Sequence, residues 1–121
     1  MDDRFLYAGL IRLHLLHHAA QEPIYGLAMM KELERHGYGL SAGTLYPILH
    51  SLEAGGYLTS ARYRIGKTLR RVYRATPAGR RALKSAKLKV SELFGEMFED
   101  DVKGRHRAMR RARKRGADPQ S

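Results

Sequence analysis

A mainly α-helical domain carrying one small β-hairpin is what three stretches of this sequence predict. Residues 41–58 (SAGTLYPILHSLEAGGYL) place Leu45, Ile48, Leu49 and Leu52 at i, i+3, i+4 and i+7, the apolar stripe of a short amphipathic helix. Residues 57–65 (YLTSARYRI) and 69–75 (LRRVYRA) are β-prone runs on either side of Gly66-Lys67-Thr68, the pattern of a hairpin. Residues 76–101 then carry apolar side chains at steps of three and four, as a long helix does. Helix, two-glycine turn and basic hairpin, in that order, describe a winged helix-turn-helix, here extended by a long C-terminal helix.

Each element has its own justification. Residues 5–20 form a first helix with a broad apolar surface from Leu6, Leu10, Ile11, Leu13, Leu15 and Leu16, more than a small domain needs from one helix. Gln21-Glu22-Pro23 ends it. A second helix spans 24–36, with Leu27, Met30 and Leu33 at core spacing and Gly37 as its stop. Tyr38-Gly39-Leu40 turns the chain into the third helix. There the Ser41 hydroxyl is placed to cap the free N–H groups of the first turn. Pro47 lies near that helix's start, where its missing donor does little harm, and Gly55 and Gly56 end the helix.

Thr76-Pro77 opens the last helix with a capping hydroxyl and a proline at the first helical position. Leu83, Ala86, Val90, Leu93 and Met97 build a heptad-like seam, widened by Phe94 and Phe98. A helix over 76–101 is roughly 39 Å long at 1.5 Å per residue, more than a domain of this size covers with its own core. The seam either folds back on its own domain or pairs with a second copy; its length and the spare surface of the first helix favour dimerisation. The expected organisation is a DNA-binding-type domain at 1–75, a dimerisation helix at 76–102, and a basic tail without ordered structure at 103–121. Eight Lys and Arg between Lys103 and Arg115 make that tail a backbone-binding arm or merely a solubilising end.

Charge points to the partner. The 121 residues carry a formal net charge of +11, with a pI near 10.3. Residues 1–60 hold four Lys and Arg against six acids, whereas residues 61–121 hold nineteen against six. The excess therefore begins at the hairpin, and a concentrated single-sign surface suits a polyanion better than solvent alone. The polar face of the third helix adds Thr44, Tyr46, His50 and Ser51, neutral hydrogen-bonding groups rather than the Lys and Glu of a solvated face.

At this point a family becomes visible. Gly43-Thr44-Leu45-Tyr46-Pro47, His50, Leu52-Glu53, Gly56-Tyr57-Leu58, the run Tyr73-Arg74-Ala75-Thr76-Pro77-Ala78-Gly79 and, upstream, Pro23-Ile24-Tyr25-Gly26-Leu27 closely resemble the PadR family of bacterial winged-helix transcriptional regulators. The resemblance covers residues 6–98. It implies a homodimeric repressor of a palindromic DNA operator, paired through its first and last helices. On that reading Ser41, Gly43, Thr44, Tyr46, Pro47 and His50 face double-stranded DNA, and Arg64, Lys67, Arg70 and Arg71 hold its backbone. His50 reaches either a phosphate or a base edge. Leu6, Leu10, Leu83, Val90, Leu93, Phe94, Met97 and Phe98 form the dimer interface. Family members that bind aromatic inducers use pockets near that interface, some with tryptophan; this chain has no Trp, and Phe5, Tyr7, Phe94, Met97 and Phe98 are available to line a cavity, although their helical spacing favours core packing. Within the same fold, the rival function is a nucleoid-structuring or protein-interaction module that does not choose its DNA sequence.

Other classes find no support. There is no cysteine for a disulfide, thiolate site or thiol sensor. His14, His17 and His18 share part of one helix face but offer at most two ligands, so no metal and no other cofactor is expected. No G-x-S-x-G elbow or glycine-rich phosphate loop points to an enzyme. Acidic residues precede the N-terminal apolar stretch, and Arg12 and His14 interrupt it, which fits neither a signal peptide nor a membrane span; a cytoplasmic protein is expected.

Overall fold

The computed structural model describes residues 3–114. Four helices and one hairpin follow in the order α1 (Arg4–Gln21), α2 (Gly26–Arg35), α3 (Ala42–Ala54), β1 (Leu58–Ile65), β2 (Thr68–Ala75) and α4 (Pro77–Lys114). The predicted winged helix-turn-helix with a long C-terminal helix is the observed architecture. The chain divides into two compact units at Ala86/Lys87, inside α4.

The first unit is built on a single core. From α1 it takes Ile11, Leu15, Leu16 and Ala19, and from α3 Leu45, Leu49 and Leu52, with Ile48 packed at its edge. Leu6 and Leu10 stay exposed, so the surplus apolar surface read in α1 lies at its N-terminal end. In α2 the core positions are Met29 and Leu33, whereas Leu27 is exposed, which corrects the expected Leu27–Met30–Leu33 stripe. The reason is tertiary. Ile24 does not begin the helix; it pairs in antiparallel fashion with Tyr73 of β2, its N–H 2.9 Å from the Tyr73 carbonyl and its own carbonyl accepting at 2.7 Å. That pairing delays α2 to Gly26 and rotates its buried stripe by about one position.

The hairpin register runs from Leu58 opposite Ala75 to Ile65 opposite Thr68, which leaves a two-residue turn of Gly66 and Lys67. Gly66 has φ +64° and is the only residue of that turn with positive φ, as at the first position of a type II′ turn. Two further glycines occupy the left-handed region at helix ends, Gly37 and Gly56. Gly55 remains right-handed, so of the two glycines read as a stop for α3 only Gly56 uses its conformational freedom.

The start of α4 belongs to this first unit. Thr76 caps the helix as read, its Oγ1 accepting the Gly79 N–H at 2.9 Å, and the same hydroxyl donates to the Gly56 carbonyl at 2.6 Å. Leu83 is buried in the core, only 8% exposed. Its expected place in a dimer seam is therefore corrected: periodicity marks an apolar stripe, and in the first turns of α4 the stripe faces its own domain. In the second unit Leu88, Val90, Leu93, Phe94, Met97 and Phe98 are all exposed, and the rings of Phe94 and Phe98 lie 4.4 Å apart. Helical backbone continues to Lys114 rather than ending near 102 with an unstructured stretch beyond it. Ala, Met, Arg and Lys are strong helix formers, and no glycine or proline interrupts residues 105–114. Residues 115–121 of the expected tail lie outside the described residues.

Gly79 tests this packing. A Cβ there would stand 2.1 Å from the Tyr57 carbonyl oxygen, a backbone atom with little room to yield. Helix propensity alone favours Ala over Gly by about 1 kcal/mol. Gly79→Ala should nevertheless destabilise the protein by about 1–3 kcal/mol in urea unfolding, because overpacking outweighs propensity. Gly95, with nothing within 4 Å, is the control at which Ala is neutral or stabilising.

Candidate nucleic-acid interface

The exposed face of α3 holds Ser41, Ala42, Gly43, Tyr46, Pro47, His50 and Ser51, with Thr44 half-buried. Packing explains why this face has so little freedom. The Tyr46 ring lies over Gly26 so closely that a Cβ on Gly26 would meet it at 2.5 Å. Tyr46 thus keys α3 onto the first turn of α2 while its side chain stays 45% exposed. The contact is with α2.

Two expectations about the helix start are corrected. Ser41 has the extended backbone of a capping residue, and its carbonyl accepts the Leu45 N–H at 2.9 Å, but its side chain makes no cap. Its Oγ lies 3.3 Å from Thr44 Oγ1 instead, drawn into a hydroxyl pair. Pro47 is the sixth residue of α3, past the first turn, so its missing N–H removes the intrahelical donor for the Gly43 carbonyl. Both changes leave polar groups at the N-terminal end of α3 available to an outside partner. Ser51, by contrast, spends its hydroxyl on the Ile48 carbonyl at 2.8 Å.

A residue absent from the sequence reading joins this end. Arg4, on the first turn of α1, donates from Nη1 to Thr44 Oγ1 at 3.2 Å. Forty residues separate the two, and no local pattern marks the pair. Gly26 is different, since its place in Pro23-Ile24-Tyr25-Gly26 already set it apart.

The hairpin arranges its cations by pleat. Leu58, Ser60, Arg62 and Arg64 share one face with Ala75, Tyr73, Arg71 and Leu69. Arg62 stands directly opposite Arg71, a like-charge cross-strand pair that is unfavourable in isolation. Arg71 is tied inward: it donates to Ser60 Oγ at 2.9 Å, and Ser60 donates to Glu53 Oε2 at 2.6 Å, joining this face to the last turn of α3. Arg70, on the other face, sits half-buried over the Tyr25 ring at 4.8 Å. Arg62, Arg64 and Lys67 are exposed, and among the described residues no carboxylate pairs with them. The four cations assigned to backbone contact thus divide into two anchored ones, Arg70 and Arg71, and two outward ones, Arg64 and Lys67.

His14, His17, His18 and His36 form a separate cluster between α1 and the end of α2. The His14 ring lies 4.8 Å from that of His36 and stacks with His18 at 6.5 Å. Glu32 accepts from Arg35 at 2.9 Å and faces His36 Nε2 at 3.2 Å and His18 Nε2 at 3.7 Å. No group of three or more such side chains among the described residues suits a metal ion. Burial, then repulsion from His36, His18 and His17, lowers the His14 pKa. Desolvation raises the Glu32 carboxyl, but the His36 hydrogen bond, the Arg35 charge and hydrogen bond and the nearby His18 outweigh it and leave the pKa lowered. Of the side chains expected to line a ligand cavity, Tyr7 borders a cleft of about 460 Å³ with Arg4, Tyr38 and Ser41, while Phe94 and Phe98 stack on each other. No helix among the described residues is long and apolar enough to cross a membrane.

Comparison with known proteins agrees with this geometry. Residues 15–85 match the transcriptional regulator PadR-like family. A transcriptional regulator of Mycobacterium tuberculosis is 52% identical over 88 residues, covering 73% of this chain and 82% of that protein. The crystal structure of a PadR family transcriptional regulator from Eggerthella lenta superposes with a TM-score of 0.68 at 33% identity, over 78% of this chain and 83% of the other. A Streptococcus mutans structure gives 0.70 at 26% identity, over 79% and 89%.

The histidine cluster sets a pH dependence whose sign follows from both shifts. A lowered folded pKa means that the unfolded chain binds more protons, so stability falls on acidification. The His14 contribution is present in full above its ordinary value of 6.5 and is lost as pH falls through the lower folded value. That of Glu32 is present above 4.5 and disappears at still lower pH. His14→Leu should flatten the decline in Tm between pH 7.5 and 5.5. Parallel declines for the two proteins would show that His14 is not the sensitive group.

Proposed function

We propose, on the premise that the chain belongs to the PadR-like family of transcriptional regulators, that it is a homodimeric repressor which binds a palindromic operator and is released by a small molecule. Family membership makes it a DNA-binding regulator of transcription. The observation that carries the finer reading is the exposed N-terminal end of α3 together with a hairpin whose outward cations have no carboxylate partners. An exposed cationic surface without carboxylate partners is well matched to a polyanion.

In this reading the N-terminal end of each α3 enters a major groove, with Thr44 at a base edge and Ser41, Gly43, Tyr46, Pro47 and His50 around it. Backbone N–H groups and the positive helix end favour phosphate. Arg64 and Lys67 contact the flanking backbone directly. Arg70 and Arg71, held by Tyr25 and Ser60, shape the wing and add to its field. The face of α3 is short of arginine, so most affinity is electrostatic and base contacts supply choice.

Two chains pair through Leu6 and Leu10 of α1 and through Val90, Leu93, Phe94, Met97 and Phe98 of α4. The support is exposure: Leu6 is 72% and Phe94 61% accessible in the single chain, side chains that a soluble monomer seldom leaves in such numbers. An inducer of aromatic or apolar character acts by changing the spacing of the two reading ends. Repression follows from occupying a promoter in the cytoplasm, and the basic segment from Lys103 onward serves as a non-selective DNA arm.

Sedimentation should give a dimer at micromolar concentration, and Val90→Asp or Leu93→Asp should give monomer, because an unpaired charge is not tolerated in a buried seam. A 13.8 kDa species for the unaltered chain would refute pairing. Lys67→Ala should weaken binding to all duplexes and lower the salt slope by about one counterion, with a smaller change for Arg70→Ala. A preference for the operator over random DNA of roughly 10³-fold or more is expected, whereas a ratio near one would mark a nucleoid-type binder.

A further inference from the structure

We propose that Arg4 determines base specificity by holding the Ser41–Thr44 hydroxyl pair in one orientation, so that the pair presents the same hydrogen-bonding group to a base edge in every complex. The inference rests on the reading of α3 as the groove-entering helix. Its geometry is a chain of three polar groups: Arg4 Nη1 donates to Thr44 Oγ1 at 3.2 Å, and Thr44 Oγ1 lies 3.3 Å from Ser41 Oγ.

The hydrogen-bonding capacity of the pair follows from counting protons and lone pairs. A guanidinium only donates, so one lone pair of Thr44 Oγ1 is permanently filled. The two hydroxyls bring two protons, and the bond between them uses one. If Ser41 donates to Thr44, both Thr44 lone pairs are occupied and the Thr44 proton points outward. If Thr44 donates to Ser41, the outward proton is that of Ser41. Either way the pair keeps one outward O–H and two open lone pairs, so the orientation in which Arg4 holds it decides which of them meets a base.

The O–H meets purine N7, guanine O6 or thymine O4 in the major groove, the lone pairs meet the amino groups of cytosine and adenine, and a fixed orientation selects one of the two sets. Without Arg4, Thr44 loses the contact from α1 that holds its hydroxyl, and the pair can turn either its O–H or a lone pair to the base. Arg4 is thus a positioning residue for Thr44. It also joins α1, which carries the exposed Leu6 and Leu10, to the reading end of α3.

The test is a set of anisotropy titrations of the full chain. The probes are an operator found by selection from random duplexes, its single-base variants and random DNA, each at several salt concentrations. Arg4→Ala should lower the operator-to-random ratio by about tenfold and let donor-edge and acceptor-edge bases substitute for one another at the contacted position. Arg4→Lys, which keeps the charge but not the planar fork, should retain the salt slope and still lose selectivity. In the Thr44→Ala background, Arg4→Ala should cause no further loss of selectivity, since the two act as one unit.

The proposal is overturned if Arg4→Ala weakens operator and random DNA equally while lowering the salt slope by about one, the signature of a phosphate clamp. It is equally overturned if Arg4→Ala changes neither quantity while Thr44→Ala does. Should Thr44→Ala itself leave the ratio untouched, the assignment of α3 as the reading helix fails, a result distinguishable from failure of Arg4 alone.

Discussion

The Thr76 hydroxyl sits where four chain segments meet. It accepts the Gly79 N–H and donates to the Gly56 carbonyl, while the Thr76 N–H reaches the Tyr57 carbonyl at 3.1 Å and the Tyr57 N–H returns to Leu52 at 2.9 Å. The end of α3, the start of β1, the end of β2 and the start of α4 are all fixed in that small volume. Only glycine at position 79 lets α4 come so near the Tyr57 carbonyl. Because the hairpin leaves and returns through this junction, the direction of the wing relative to α3 is set at its base. The turn of Gly66 and Lys67 decides only the register.

A second constraint joins the helical part to the hairpin. The two backbone hydrogen bonds between Ile24 and Tyr73 hold the segment entering α2 against the edge of β2, and Gly26 then receives the Tyr46 ring. From sheet edge to α2 to α3 there is direct contact at each step, so α3 is positioned by backbone pairing and ring packing. Buried polar contacts are not required for this; no buried polar or charged residue occurs among the described residues.

The elements were legible in the sequence wherever a local pattern reports a local cause. The Leu45–Leu52 stripe, the hairpin around Gly66, the Thr76-Pro77 start and the Gly37 stop all have reasons within a few residues of themselves. What was not legible depends on partners far along the chain. Ile24 looks like the first residue of a helix until Tyr73 is beside it. Leu83 and Val90 belong to one seven-residue repeat, yet the first is buried in its own domain and the second is exposed. The Ser41 hydroxyl has the position of a cap and is drawn to Thr44, which is itself held by Arg4 from another helix. Residue type and spacing located the α3 face and the cationic wing; they did not separate the anchored arginines from the outward ones. The family resemblance set Gly26 and Gly79 apart without giving the close approaches that demand them.

The Arg62–Arg71 pair has a thermodynamic corollary for the protein without DNA. Like charges facing each other across a two-stranded ribbon are relieved by mobile counterions, so added salt should firm up the free wing. The same ions compete for the complex, whose formation depends on releasing counterions from the duplex. Ionic strength therefore acts with opposite sign on the two states, stabilising the free fold while loosening its grip on DNA. On the proposed reading, in which the wing contacts the duplex, nucleic acid takes over the screening that salt provides to the free wing.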